Sequence, residues 1–313
     1  MKYPTPTSSF LLENLSLTLN RIVLLLRVYL RIIAIGMFSI SSSTKVWLFI
    51  LLSSLSLLIL GYSLFERLGL VIGFFISLII NLMIFVYGDF KLHNYFKSRE
   101  LSGQDAYGVN QILETFCKEL NTEKPKIQIY ESNSINAFTL GLFWNQPAIY
   151  LSEKLVNTLS KEELKCVILL CLNQIQRMDT FAFGVVSVLA NITISLGNIL
   201  DHIFLFSYYL KKEHWPFSQL FNFICWFFIK SIANYETYFK NDKSSCDVLK
   251  DKRIYCELLW KLNGYSETLP ETVPPGTGHL FIVQPIQNKI RWFHLFHPPV
   301  PKRIIKLLGH SPL

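Results

Sequence analysis

Apolar residues recur at three- and four-residue steps over residues 160–180: Leu164, Val167, Ile168, Cys171, Ile175 and Met178. That spacing predicts a helix with one buried face. Ser160, followed three residues later by Glu163, predicts its start. A hydroxyl at the N-cap and a carboxylate at the third helical position satisfy each other's free backbone N–H groups. Upstream, residues 91–121 turn amphipathic, with Leu113, Phe116, Cys117 and Leu120 on one helix face. Three short runs follow, Lys126–Tyr130, 135–142 and Ala148–Ser152, and read as strands. Asn145-Gln146-Pro147 supplies turn chemistry between the last two.

Longer apolar runs flank this pattern. Residues 46–62 and 68–88 carry no charge, and each approaches the roughly 20 residues that cross a bilayer. Only residues 63–67 separate them, so they predict a tight transmembrane hairpin over 46–90. Residues 181–200 are a third candidate span, interrupted only by uncharged polar residues such as Asn191 and Asn198. Residues 217–229 are short for a crossing. A second hydrophobic hairpin over 181–230 is therefore expected, with crossing, re-entrant and interfacial placements all open. Residues 21–40 are apolar but carry Arg21, Arg27 and Arg31. A central Arg in a spanning helix costs roughly 2.5–3.5 kcal/mol, so the N-terminal part, 1–45, is expected to hold a basic interfacial helix.

Composition agrees with a membrane protein. Of 313 residues 51% are hydrophobic and 25 are Phe, with a mean hydropathy of +0.33, above the soluble norm. The net charge of +8 does not point to nucleic acid, because the basic residues flank the apolar segments. Arg27, Arg31 and Lys45 precede the first hairpin, and Lys91, Lys97 and Arg99 follow it. The positive-inside rule then places the soluble part in the cytoplasm. Six cysteines form no CxxC pair, which fits a reducing compartment or burial. The polar, Pro/Ser/Thr-rich N-terminus is not a cleavable signal peptide.

Residues 136–179 hold a more specific pattern. Asn136, Ala137, Phe138, Gly141, Ser152, Glu163, Leu164 and Asp179 fall at the spacing of an Asn-Ala-Phe strand with a following Gly. A strand ending in Ser, an acidic-Leu pair opening a helix, and a later Asp complete it. Near the C-terminus stands His297-Pro298-Pro299-Val300-Pro301-Lys302-Arg303-Ile304. This ordering, over about residues 91–308, resembles the HtpX-like family of membrane zinc metallopeptidases. The resemblance implies an α+β membrane protein, mostly helical, with transmembrane hairpins and a zincin-like cytoplasmic domain containing a small β-sheet. Residues 91–180 would be its first half and 231–313 its C-terminal helical half. It also implies zinc as cofactor, Asn136, Ala137 and Phe138 as a substrate-binding edge, and the bacterial inner membrane as location.

The catalytic slot departs from the family. Where HExxH is expected, the chain reads Leu170-Cys171-Leu172-Asn173-Gln174. Two imidazoles four apart share a helix face and can grip one zinc while the Glu polarises its water. Leu170 has no donor, Gln174 is a poor ligand, and Cys171 points about 100° round the helix. The family's third ligand position holds Tyr238, and Glu236 lies on the far side of a helix from it. No zinc, no metal and no catalytic residue are therefore expected. Asp179, Asp242, His297, Pro298, Pro299 and Arg303 remain as structural motif residues, the two aspartates either as a buried pair or in helix packing.

Other chemistries find little support. None of the seven histidines forms HxxxH, and Pro298-Pro299 favours a loop for His294 and His297. Cys171 has no histidine nearby in sequence to activate it. No G-x-S-x-G elbow or Gly-rich phosphate loop is present. The expected function is that of a binding or regulatory pseudoprotease. Its partners would be the bilayer and either unfolded membrane-protein segments, docked at the edge, or an active homologous protease. The alternative role for Asn136 to Phe138 is sheet packing. The alternative function is an active zinc endopeptidase using Cys171, Asp179 and a distant histidine.

Overall fold

Helix α1, Ser42–Leu82, folds back on itself at Phe65 and Glu66, where Glu66 takes φ 50° and ψ −128°. The structure, a computed structural model, describes residues 40–87, 94–101, 105, 107–142, 146–211, 214–269, 271, 273–274, 276–285 and 296–310. Glycines let the two arms of α1 approach. A Cβ on Gly69 would lie 1.9 Å from the carbonyl oxygen of Gly61, and one on Gly73 2.6 Å from that of Leu57. Most large apolar side chains of the arms point outward, as lipid-facing residues do. The hairpin, residues 49–79, belongs to one compact unit, and residues 41–48 with 80–313 form a second.

The second unit is built on a four-stranded mixed sheet in the order β1-β2-β4-β3. Its strands are β1 (Ser98–Glu100), β2 (Lys126–Tyr130), β3 (Ala137–Leu140) and β4 (Ala148–Ser152). β2 pairs with β4 in parallel, while β3 pairs with β4 antiparallel, Phe138 opposite Tyr150. Alternation along the strands separates two faces. Ile127, Ile129, Ile149 and Leu151 join the main core with helices α2 (Val109–Leu120) and α4 (Lys161–Gln176). Phe138, Tyr150 and Tyr130 turn to the other face and meet Phe96 and Phe281, with Phe138 stacked on Tyr150 at 4.6 Å. Short helix α3 (Glu153–Thr158) links β4 to α4.

Helices α5 (Asp179–Ile203) and α7 (Pro216–Ile232) form a second, antiparallel hairpin, joined through the single turn α6 (Phe206–Tyr209). Gly197 gives the close crossing, since a Cβ there would meet Phe217 and Ser218 at 3.1 Å. Asp201, fully buried, accepts from the amides of Phe217 (3.1 Å) and Ser218 (2.7 Å). It thereby caps α7, whose N-cap residue Trp215 makes no side-chain cap. Helices α8 (Tyr235–Leu249), α9 (Lys252–Thr268) and α10 (Val300–Leu308) close the core. Among the described residues two helices are long and apolar enough to cross a membrane, α1 and α5.

Two expectations are corrected. β1 lies inside the stretch read as amphipathic helix, where Ser98–Glu100 pairs antiparallel with β2, and the helix begins only at Val109. The strand expected over 135–142 shortens to Ala137–Leu140, because Asn136 folds its side chain back to accept from the Ala137 amide. The basic helix expected over 21–40 lies, but for Ile40, outside the described residues, as do His93 and His294.

Candidate functional site

Helix α4 starts as its capping box requires: Glu163 accepts from the Ser160 amide at 2.8 Å and Ser160 from the Glu163 amide at 3.3 Å. Glu163 also receives Lys261 of α9 at 2.9 Å, fixing the helix against the C-terminal half. Leu170, Cys171 and Gln174 are all buried on α4, and Tyr238 is buried on α8. The side-chain Oε1 of Gln174 accepts from the Thr139 hydroxyl at 3.1 Å, and Thr139 shares a 2.8 Å hydrogen bond with Thr180. Tyr238 donates its hydroxyl to the carbonyl of His279 at 2.9 Å. Its ring packs against Phe183 (5.8 Å) and His297 (4.7 Å). Cys171 lies in the main core, and burial pushes its thiol up to about 12.

These residues do not fit a zinc ion. Zinc takes thiolate, imidazole or carboxylate donors. Leu170 offers none, the oxygens of Gln174 and Tyr238 are engaged with protein partners, and Cys171 is held protonated. Among the described residues no three His, Cys, Asp or Glu side chains gather as a metal set.

The two aspartates do not pair with each other. Asp179 accepts from Asn241 at 3.0 Å and from Arg177 at 3.4 Å. Asp242 accepts from Tyr255 (2.8 Å) and from the Arg303 guanidinium (2.8 Å at Nε), all fully buried. Arg303 also donates to the carbonyl of Ile282 at 2.7 Å. Burial opposes the charge on Arg303, but the Asp242 carboxylate outweighs it and holds the guanidinium above its ordinary pKa.

The structure brings Asn136, Asp242 and Arg303 together around residues 281–283. Asn136 donates to the carbonyl of Val283 (3.0 Å), the Ile282 amide donates to the carbonyl of Ala137 (2.9 Å), and Phe281 bridges Phe138 antiparallel. The strand edge expected to receive a partner peptide is thus paired with the chain's own residues. Asn136, Ala137 and Phe138 are fully buried there. Sequence spacing could not foresee this, because residues 281–283 lie more than 140 positions away.

His297 sits in the loop before α10, as Pro298-Pro299 implied, and its Nε2 meets the Gly278 carbonyl at 2.9 Å. Pro299 is the N-cap of α10. His279, which the sequence did not single out, meets the Phe183 carbonyl through Nε2 at 3.0 Å. Burial lowers His279 to about 4 and His297 to about 3. Both are neutral donors to carbonyls, and their Nδ1 atoms have no partner.

Residues 104–168, which take in α2 and the first half of α4, match peptidase family M48. A protease HtpX homolog of Pelotomaculum thermopropionicum is 24% identical over 275 residues, 85% of this chain and 98% of that protein. Over most of its length the chain is similar to the HtpX-like family of membrane metallopeptidases. An Aquifex aeolicus protease HtpX homolog is 25% identical over 252 residues, 76% of this chain and 83% of that protein. The crystal structure of S. mikatae Ste24p aligns with a TM-score of 0.44 and 18% identity, over 85% of this chain and 64% of that one. The chain therefore spans less than two thirds of Ste24p. The protein is an HtpX-like membrane protein whose four slot positions, Leu170, Cys171, Gln174 and Tyr238, hold no zinc-binding set.

Proposed function

We propose that this HtpX-like chain is a pseudoprotease: it works without zinc or hydrolysis and acts by binding, toward membrane proteins or an active homologous protease. The observation that carries the reading is the state of the four slot positions. Leu170 is apolar, Cys171 is sealed in the core, and the polar ends of Gln174 and Tyr238 are engaged with Thr139 and the His279 carbonyl. The surrounding scaffold is nonetheless built in full, from the α4 capping box to the Asp242–Arg303 pair. Capture of an extended segment at β3 would have to displace residues 281–283. The reading therefore favours pairing with an active homologue, through surfaces other than that edge. Basic residues on both sides of the first hairpin support a cytoplasmic domain on a bacterial inner membrane.

The test is zinc content and proteolysis of the full chain, purified in detergent from zinc-supplemented cells. We expect near-zero zinc by elemental analysis and no cleavage of casein or a membrane-protein substrate that a chelator abolishes. Stoichiometric zinc with chelator-sensitive cleavage would overturn the proposal and restore an active endopeptidase with unconventional ligands.

A further inference from the structure

We infer that the tip of the α5–α7 hairpin seats in the headgroup–acyl boundary of one leaflet and does not cross the bilayer. This is independent of whether the chain hydrolyses peptides. Burial divides α5 in two. From Asp179 to Val188 every residue is buried: Gly184 lies against Leu142, and the Phe183 carbonyl meets His279. Beyond Ala190, which the Cys225 thiol still contacts, Leu196, Ile199 and Ile203 are exposed while Ile194, Gly197 and Asp201 stay buried. Helix α7 contributes exposed Leu220, Phe223 and Phe227. The stretch free of the domain, residues 191–203, rises about 20 Å at 1.5 Å per residue. A hydrocarbon core of about 30 Å is longer than that.

The connecting turn supplies the chemistry of an interface. Phe204, Leu205, Tyr208 and Tyr209 are exposed, Tyr208 by 83%, and Trp215 packs edge-on to His202 at 5.0 Å. Tyr and Trp concentrate where an apolar body meets wet headgroups. Lys211 is exposed at the end of this turn, and Asp201 presents no free carboxylate, since α7 amides and the Ser218 hydroxyl occupy it. An exposed cation beside an apolar ridge is complementary to anionic lipid. Seating in one leaflet also keeps Lys211 off the far side, where the positive-inside rule disfavours it.

The experiment uses the full chain with Tyr209→Cys or, as reference, Arg253→Cys on the exposed surface of α9. All six native cysteines are buried. Sealed vesicles of both orientations, containing anionic lipid, are treated with a membrane-impermeant maleimide. We expect both cysteines to react from the same face, and a fluorophore on Tyr209→Cys to lose emission when brominated lipids replace ordinary ones. Reaction of Tyr209→Cys only from the opposite face would establish a crossing and overturn the inference. Same-face reaction without quenching would place the tip in water and overturn it equally.

Discussion

His279 and His297 sit on either side of Tyr238, one receiving its hydroxyl at the backbone carbonyl and the other packing on its ring. Both imidazoles are neutral because burial removes the water that would solvate a charge. Unfolded histidine titrates near 6.5, whereas these fall to about 4 and about 3. Between about pH 6.5 and about pH 4 these two imidazoles let the unfolded chain bind up to two more protons than the folded one, and stability rises with pH across that window. Unfolding of the detergent-solubilised protein should show full stability above about pH 7 and a progressive loss from about 6.5 toward 4. Each histidine contributes a slope of up to about 1.4 kcal/mol per pH unit. His297→Gln should remove one proton's share of that slope, and a profile identical to wild type would refute the assignment. Of this cluster, only Tyr238 and His297 were legible in the sequence. His279 carried no spacing signal, because its partners Phe183 and Tyr238 lie 96 and 41 positions away.

At the level of elements, periodicity and caps were good guides wherever the determining contacts are local. The start of α4 followed from Ser160 and Glu163, and two of the three expected strands have the observed bounds. β1 was missed because Ser98, Arg99 and Glu100 carry no strand pattern and are extended only through pairing with β2. The first hairpin was legible as two charge-free runs, but its close approach depends on glycines whose spacing gives no local signal. Gly69→Val puts a carbon 1.9 Å from the Gly61 carbonyl oxygen, so the arms must separate. We expect less protein in carbonate-washed membranes and a lower unfolding temperature in detergent. Gly264→Ala, with nothing within 4 Å of its added carbon, should leave both unchanged or slightly raised.

Across the whole molecule, Arg303 is the residue through which distant parts of the second unit meet. From α10 it reaches Asp242 on α8 and the carbonyl of Ile282, whose amide pairs with β3. Arg303→Met leaves the Asp242 carboxylate buried beside Tyr255 alone, and removing one partner of a buried pair costs about 3–5 kcal/mol. Denaturant unfolding should show that loss. Adding Asp242→Asn should recover part of it by removing the stranded charge, and additive losses would show that the pair does not act as a unit. Residue types and their spacing alone determined the membrane character, the family resemblance, the start of α4 and the replacement of every slot residue, since each depends on side-chain chemistry or a periodicity of a few residues. Only the tertiary structure decided that residues 281–283 occupy the strand edge, that Asp179 and Asp242 serve separate networks, and that α5 is half core and half exposed. Those outcomes depend on which surfaces long-range packing removes from water, and hydrophobic pattern cannot tell a face covered by protein from one left for lipid.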